Sequence, residues 1–362
     1  MKNTIGNSLT LTLFGESDGK AIGAVIDGIA SGIAVDEELI ASRLSRRRPK
    51  DKTSTARREK DEFQILSGVF NGFTTGTPIC ITIPNADTHS PDYDKLQYKM
   101  RPSHADYTAN CRYSGFQDYR GGGHFSGRIT AALVAAGAIV LPALNKKGIY
   151  IGAHIKNIAG VSDLDFNCDR DIIDISKKDF PVLDESKAEI MREKILAAKA
   201  KGDSVGGVVE TAVIGLPAGV GEPWFDTVEG MLSHAIFSVP AVKGIEFGMG
   251  FGFADKTGSE ANDRMYAENG TVKCYTNNNG GILGGITNGM PVIFRAAIKP
   301  TPTISIEQQT VDISDMSNTV LAARGRHDPC IVHRAAVVIE SVTALVIADM
   351  LSAKYGTDWL AK

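Results

Sequence analysis

Glycine is the feature that most restricts how this chain can fold, because 38 of its 362 residues are glycine and many of them stand together. The clusters are Gly121-Gly122-Gly123, Gly206-Gly207, Gly280-Gly281 and Gly284-Gly285. Apolar residues bracket each cluster, which indicates turns and close backbone approaches and not a flexible linker. With 43% hydrophobic residues, the chain has ample material for a globular core.

Short segments rich in β-branched residues lie between the glycine clusters and predict strands. The clearest are Leu9 to Phe14, Ile79 to Ile83, Gly206 to Ile214 and Pro291 to Ile298. Helical periodicity predicts helices at Asp36 to Arg48, Gly127 to Lys146, Ser186 to Lys201, Thr227 to Ile236 and Ala335 to Ala353. The two kinds of element do not alternate regularly, and no GxGxxG motif follows an N-terminal strand. The pattern therefore favours an α+β layered architecture over a dinucleotide-binding doubly wound fold.

Composition restricts the function classes. The net charge of −3 argues against a general nucleic-acid surface. The five cysteines lack the spacing of a metal site and are expected to be reduced thiols. No signal-like apolar run opens the sequence, and no segment approaches roughly 20 uninterrupted apolar residues. We expect a cytoplasmic protein with no nucleic-acid, membrane or metal partner and, since no linker or repeat divides the chain, a single domain over residues 1–362.

Two polar stretches lie in the first sixty residues. Gly15-Glu16-Ser17-Asp18-Gly19 follows a predicted strand, and an ordinary surface turn is the alternative to a functional role. The second stretch runs from Arg43 to Pro49 as RLSRRRP and continues with Lys50, Lys52, Arg57 and Arg58. Such a run can be a solvated face. Because hydroxyl residues interleave it in a chain of negative net charge, it also suits a loop over a phosphate or carboxylate.

A third stretch combines MRPSHADY, residues 100–107, with DYRGGGHFSGR, residues 118–128. Histidines, arginines and a triple glycine that leads into a helix N-terminus are the groups that an anionic ligand needs. On its own, His104 could be a satisfied structural histidine. Within this cluster we favour a proton-handling role, because imidazole titrates near neutrality.

Two further loops carry prolines that hold charged side chains outward: Lys299-Pro300-Thr301-Pro302-Thr303 and the stretch from Arg324 to Cys330, which contains Asp328. Ser17 and Ser126 have polar neighbours, but no GxSxG elbow or Walker A loop is present. The residues alone predict a protein that binds polyanionic small molecules.

In this order the stretches resemble the chorismate synthase family: FGESxG, RRRP, RREKDEFQILSGVFNGFTTGTPI, RPSHADYT, DYRGGGHFSGR, GDSVGGVVE, AVKGIEFG, NNNGGILGGITNG, KPTPTI and GRHDPC. The resemblance implies an α+β sandwich with antiparallel sheets at the core and helices outside, assembled as a homotetramer. It also implies conversion of 5-enolpyruvylshikimate 3-phosphate to chorismate and phosphate by anti-1,4-elimination. Reduced FMN would be required without net redox change, since transient electron donation helps expel phosphate.

The resemblance also implies roles for single residues. His104 would stand beside the flavin, Asp328 would be the base of the second step, and Ser17 and Ser126 would join the catalytic group. The arginines expected around the substrate's phosphate and carboxylates are Arg47, Arg48, Arg101, Arg128 and Arg326. FMN would contact His124, Phe125, Ser126, Pro240, Ala241, Gly284, Lys299, Pro300, Thr301, Pro302, Thr303 and Arg326, with Lys299 as the expected phosphate partner. Arg47 and Lys52 would meet a nicotinamide nucleotide if NADPH is the reductant.

Asp18 departs from the family motif, which reads Gly-Glu-Ser-His-Gly where this chain has Gly15-Glu16-Ser17-Asp18-Gly19. An ordinary aspartate is ionised at neutral pH, so it cannot protonate a departing phosphate and would repel it. Asp18 could be kept protonated or paired with an arginine, the enzyme could be a deliberately weakened one, or the chemistry could differ. We expect slow turnover with intact ligand binding. The alternatives are a flavin-dependent lyase acting on another phosphorylated acid and a homologue that binds these ligands without catalysis.

Overall fold

The computed structural model describes residues 2–55, 59–86, 97–322 and 327–362. Its strands are β1 (Thr4–Ile5), β2 (Thr10–Gly15), β3 (Ala21–Asp27), β4 (Gln64–Ser67), β5 (Val69–Phe70), β6 (Phe73–Thr74), β7 (Ile79–Pro84), β8 (Tyr150–Ile158), β9 (Val161–Ser162), β10 (Gly207–Ile214), β11 (Val242–Phe247), β12 (Met265–Glu268), β13 (Thr271–Cys274), β14 (Ile282–Leu283), β15 (Ile286–Thr287), β16 (Val292–Ile298), β17 (Gln308–Asp312) and β18 (Ser317–Leu321).

The α-helices are α1 (Glu37–Arg47), α2 (Asp106–Tyr113), α3 (Thr130–Lys146), α4 (Asp169–Ile175), α5 (Glu185–Ala200), α6 (Val228–Ile236), α7 (Gly258–Ala261) and α8 (Val332–Tyr355). Short 3-10 helices cover Arg120–Phe125, Gly127–Ile129, Trp224–Asp226, Gly250–Asp255 and Thr357–Leu360. The predicted helices all form, with Asp36 and Thr227 as N-caps whose side chains accept from backbone N–H groups. The last one extends beyond its predicted ends, and α2, α4 and α7 were not among the predictions.

Two five-stranded antiparallel sheets form the framework. Sheet 1 has the order β1-β2-β3-β7-β4, and sheet 2 has the order β11-β16-β10-β8-β9. In β7, Ile79, Ile81 and Ile83 alternate with less buried residues, so one face of sheet 1 is apolar. That face packs on α3, which contacts β3 and β7.

The two longest helices lie between the sheets. Helix α3 packs on sheet 1, α8 packs on β8 and β10 of sheet 2, and the two helices pack on each other. The segments Gly127–Lys146 and Val332–Tyr355 are long and apolar enough to cross a membrane, but 89% and 100% of their most apolar windows are buried inside the protein. Burial of this extent identifies them as core helices.

The α+β class with antiparallel sheets is confirmed. The order of layers differs from the expectation of helices outside the sheets. Helices α3 and α8 are buried on nearly all sides, because the two sheets, each other and the neighbouring helices α1 and α6 cover them. Helix α4 does cover the other face of sheet 2, through Ile172 against Ala212 and Ile214. The single domain stays a prediction.

Candidate active site

A cavity of about 1110 Å³ lies among the loops that carry the predicted site. Its walls come from the turn after β2, the C-terminus of α1, the triple glycine and the start of α8. The predicted site residues that line it are Asp18, Arg47, Arg48, Arg101, His104, His124, Phe125, Ser126, Arg128, Pro240, Ala241, Lys299, Thr301, Pro302, Thr303 and Asp328. Stretches that are far apart in sequence thus meet in one place.

A few predicted site residues do not line the cavity. The backbone carbonyl of Lys52 accepts a hydrogen bond from Lys199 Nζ (2.7 Å), in a turn held against α5. Gly284 sits in the tight turn between β14 and β15, and Pro300 packs against Gly206. Arg326, together with Arg57, Arg58 and Arg324 of the predicted cationic loops, lies outside the described residues.

Asp61 joins two of the predicted arginines and was missed by sequence reasoning. Arg47 Nη2 donates to Asp61 Oδ2 (2.7 Å), and Arg128 Nη1 pairs with Asp61 Oδ1. Arg128 Nε also donates to Asn85 Oδ1 (3.0 Å) and lies 3.2 Å from Glu59 Oε2. Asp61 is only 4% exposed and has a φ of 53°, a backbone conformation that non-glycine residues seldom adopt. Within the run REKDE it looked like one more solvated charge.

Burial and neighbouring charges act in opposite directions on this cluster. Burial by itself raises the pKa of Asp61, but Arg47 and Arg128 more than offset it, so that the pKa is held below its ordinary value. Burial lowers the pKa of Arg47, and the nearby cations Arg334 and Arg128 lower it further. Asp61 and Glu59 together balance Arg47 and Arg128, so positive charge for a bound anion comes from the other cations that line the cavity, such as Arg48 and Lys299.

A second carboxylate, Asp106 at the start of α2, positions Arg101 and His104. Arg101 reaches Asp106 through Nε (2.7 Å) and Nη2 (2.8 Å), while His104 Nδ1 lies 2.6 Å from Asp106 Oδ1. Burial opposes ionisation of Asp106, but the bonds from His104 and Arg101 prevail and the pKa is lowered. An ionised carboxylate only accepts, so His104 carries its proton on Nδ1 and keeps Nε2 for the cavity side. Nε2 faces Gly122, whose missing Cβ would stand 3.4 Å away.

The triple glycine lets the turn that contains Ser17 and Asp18 approach its backbone closely. Gly121, Gly122 and Gly123 all have positive φ, and a Cβ on Gly121 would stand 2.6 Å from Asp18 Oδ1 and 2.7 Å from Ser17 Oγ. Ser17 is 1% exposed and its N–H donates to the Gly123 carbonyl (3.0 Å). It lies behind the cavity wall.

His124 and Lys299 are fixed by backbone carbonyls. His124 Nδ1 donates to the Gly15 carbonyl (2.7 Å), which sets its tautomer and leaves Nε2 as the other hydrogen-bonding atom. Lys299 Nζ donates to the Ser103 carbonyl (2.6 Å) and so joins two of the cationic loops.

Arg120 lies close to Asp18. Its guanidinium forms a bidentate salt bridge with the Asp118 carboxylate, through Nε (2.8 Å) and Nη2 (2.7 Å). This pair is the main reason why the pKa of Arg120 is raised, and the negative charge of Asp18 contributes as well. Asp18 therefore has a cation in its surroundings.

Both oxygens of the Asp328 carboxylate accept hydrogen bonds. Thr55 N–H donates to Oδ1 (2.8 Å), and Arg334 Nη1 donates to Oδ2 (2.8 Å). Arg334 Nε also donates to the Arg47 carbonyl (2.6 Å) and therefore links Asp328 to the end of α1. Sequence reasoning missed Arg334, because it stands directly before the helix predicted at Ala335 to Ala353 and after the stretch from Arg324 to Cys330.

The profile of the family described as chorismate synthase matches residues 9–352. The chain belongs to the chorismate synthase family. A chorismate synthase from Thermococcus gammatolerans is 47% identical over 347 residues, which are 96% of each chain. One from Pyrococcus abyssi is 48% identical over 346 residues, again 96% of each, and one from Dehalococcoides mccartyi is 46% identical over 352 residues, 97% of this chain and 96% of that one.

A crystal structure of chorismate synthase has the same fold, with a TM-score of 0.77 at 30% identity over 98% of this chain and 94% of that one. The chain is accordingly an enzyme, a lyase of aromatic amino acid biosynthesis, as the resemblance implied. Family membership also implies a flavin cofactor.

Proposed function

We propose that this chain converts 5-enolpyruvylshikimate 3-phosphate to chorismate and phosphate with reduced FMN. The observation that carries the proposal is the meeting, in one cavity, of the Arg47–Asp61–Arg128 cluster with two histidines and Asp328. Guanidinium groups, imidazoles and a carboxylate are what a proton-coupled elimination on a multiply charged substrate needs.

The cavity fits two ligands. Its volume of about 1110 Å³ exceeds the upper end of the ~300–1000 Å³ usual for single small-molecule sites. Polar atoms of its lining residues that are buried without a hydrogen-bond partner in the described part of the chain include Arg47 Nε, Thr55 Oγ1 and Thr301 Oγ1. Such atoms are costly unless a ligand satisfies them. Donors of this kind suit a flavin and a phosphorylated acid.

Each set of residues has a distinct task in this proposal. Arg47, Arg48, Arg101 and Arg128 bind the phosphate and carboxylates, with Arg326 expected beside them; Lys299, His124, Phe125, Ser126, Pro240, Ala241 and the 301–303 loop hold the flavin. His104 presents Nε2 to the flavin as the atom that takes up and returns a proton, while Asp106 accepts from Nδ1–H and fixes the ring. Asp328 accepts the proton that leaves in the second step. When bound, reduced FMN supplies transient electron donation toward the substrate.

Asp18 is proposed to slow the first step. Its proximity to Arg120 supports the expectation of an aspartate paired with an arginine over one that donates a proton. A negative charge beside the departing phosphate opposes its accumulation of charge. Binding of both ligands would remain, because the arginine cluster is independent of Asp18.

Three broader expectations belong to the same proposal. The protein is expected to work as a homotetramer in the cytoplasm, without nucleic-acid or membrane partners. NADPH is a candidate reductant. Its proposed contacts are Arg47 and Lys52, of which only Arg47 lines the cavity. The alternative functions are a lyase for another phosphorylated acid and a homologue that binds without turnover.

The decisive experiment is an anaerobic assay of chorismate formation with photoreduced FMN, comparing the wild type with Asp18→His. General acid catalysis is worth roughly 10²–10⁴-fold, so we expect the variant to gain at least about tenfold in kcat. Asp27→His, at the exposed end of β3, is the matched control and should leave the rate unchanged.

The outcomes separate the alternatives. Equal rates for wild type and Asp18→His would refute the role given to Asp18. Tight binding of flavin and substrate with no chorismate from either protein would indicate a binding homologue. Spectral titration with FMN, with and without 5-enolpyruvylshikimate 3-phosphate, detects a lyase for a different substrate. In that case 5-enolpyruvylshikimate 3-phosphate would leave the flavin spectrum unchanged.

A further inference from the structure

The chain that leaves α1 through residues 49–55 is fastened to α5. Lys199 Nζ donates to the carbonyls of Lys52 (2.7 Å) and Ser54 (3.2 Å). Arg192 Nη1 pairs with Asp51 Oδ2 at 2.6 Å. These contacts hold the 49–55 segment in place from its outer side, and Thr55 at its end lines the cavity.

On the inner side the 49–55 segment is joined to α8. The Ser54 hydroxyl and His333 Nε2 share a hydrogen bond of 2.9 Å. Ser54 is only 2% exposed, and the His333 ring stacks on Phe180 with centroids 5.6 Å apart. Neither Ser54 nor His333 lines the cavity.

The next residue in each segment reaches the catalytic carboxylate. Thr55 follows Ser54 and donates its backbone N–H to Asp328 Oδ1, and Arg334 follows His333 and donates to Asp328 Oδ2, both at 2.8 Å. The Ser54–His333 bond therefore lies directly behind the two donors that orient Asp328. Loss of this bond would let the two donors move independently.

His333 can form this bond without adding charge. Burial, with Arg334 next in effect, lowers the pKa of His333 to about 4, so the ring is neutral at pH 7. A neutral imidazole leaves the balance between Asp328 and Arg334 undisturbed. Its Nδ1 is buried without a partner among the described residues, an unfavourable arrangement that the bond to Ser54 and the stacking on Phe180 have to outweigh.

We propose that Ser54 and His333 are positioning residues for Asp328, acting through the Thr55 N–H and the Arg334 guanidinium. The inference rests on the proposed function, in which Asp328 is the proton acceptor. Orientation of a catalytic group matters steeply, since a displacement of about 1 Å can cost 10²-fold in rate.

The test measures kcat and KM for 5-enolpyruvylshikimate 3-phosphate in the complete reduced-FMN enzyme. Ser54→Ala removes the bond and should lower kcat roughly 10- to 100-fold while KM changes less than about threefold. Ser54→Thr keeps the hydroxyl and should restore kcat to within about threefold of wild type. Ser352→Ala is the control, because it removes a buried serine hydroxyl of α8 that has no hydrogen-bond partner in the described chain.

The results distinguish this inference from the proposed function. A wild-type protein that makes no chorismate refutes the proposed function and the inference with it. The inference alone is overturned if the wild type is active and Ser54→Ala has the same kcat. It is also overturned if Ser54→Thr folds but is as slow as Ser54→Ala. Should Ser54→Ala not fold, His333→Phe, which keeps a ring against Phe180 but offers no hydrogen-bonding atom to the Ser54 hydroxyl, provides the same measurement: a lowered kcat at constant KM supports the inference, and wild-type kcat overturns it.

Discussion

Two buried networks of charge in this protein look alike in composition and differ in purpose. One is the Arg47–Asp61–Arg128 cluster at the cavity. The other crosses sheet 2, where the buried ring of His154 lies 3.1 Å from Glu210 Oε1, and Arg295 Nε donates to Glu210 Oε2 (2.7 Å). This second network follows the register of the strands, because Glu210 is paired with His154 on the neighbouring strand β8 and with Arg295 on the neighbouring strand β16.

The two networks differ in whether their polar groups are all satisfied within the protein. In the sheet, Asp163 Oδ2 lies 3.1 Å from Nδ1 of His154, so both ring nitrogens have a hydrogen-bond partner. Neither His154, Glu210 nor Arg295 lines the cavity. At the cavity, the neighbouring cations Arg48 and Lys299 donate to backbone carbonyls, and Arg47 Nε is buried without a hydrogen-bond partner among the described residues. Buried charge alone therefore does not mark a site; surplus donors beside a void do.

Removal of the shared carboxylate is expected to have the largest effect. Asp61→Asn removes the anion that Arg47 and Arg128 share and leaves Glu59 as the carboxylate beside Arg128, which should lower the free energy of unfolding by roughly 3–5 kcal/mol and impair turnover. Added inorganic phosphate should recover part of the stability, because it can occupy the cationic cavity. The measurement is urea unfolding with and without phosphate.

Glu268→Gln serves as the control for Asp61→Asn. It removes the charge from the exposed pair with Lys273 and should leave the free energy of unfolding nearly unchanged, with no phosphate response. If phosphate stabilised Asp61→Asn no more than the wild type, the cavity charges would not be surplus and the contrast between the networks would disappear.

The sheet network gives the intermediate effect. Glu210→Gln weakens the bonds to His154 and Arg295 and should cost roughly 2–3 kcal/mol of unfolding free energy. Phosphate should not restore it, and kcat of the folded protein should stay within about twofold of wild type. A large fall in kcat at unchanged stability would mean that sheet 2 takes part in the site.

The smallest expected effect is a pH dependence. Burial alone lowers the pKa of His154, but its bonds to Asp163 and Glu210 prevail and the pKa is raised. A raised pKa means that the contribution of His154 to stability is fully present below its unfolded value of about 6.5 and is lost as pH rises through the folded value.

Urea unfolding from pH 6 to 9 checks this dependence. The stability advantage of wild type over His154→Gln should shrink toward alkaline pH. An advantage that grew with pH would contradict the direction of the shift.

The fold was predictable wherever one element's own pattern decided it. The β-branched run at Ile79–Pro84 and the apolar periodicity of Val332–Tyr355 identified a strand and a helix within a few residues. The layer order was not predictable, because an all-round apolar helix shows only that it is buried and not which surfaces bury it. Helix α2 escaped prediction because its amphipathic pattern is weak over only eight residues.

The local sequence by itself determined which residues could bind anions and handle protons, since guanidinium, imidazole and carboxylate groups have fixed charge and hydrogen-bonding capacity. Only the tertiary structure decided which of them meet. Asp61 pairs with Arg128, Arg334 donates to the Arg47 carbonyl and Ser54 bonds to His333. These partners are distant along the chain, and no local pattern specifies them. The physical reason is that hydrogen bonds and ion pairs depend on distances of about 3 Å, which chain folding sets and residue identity does not.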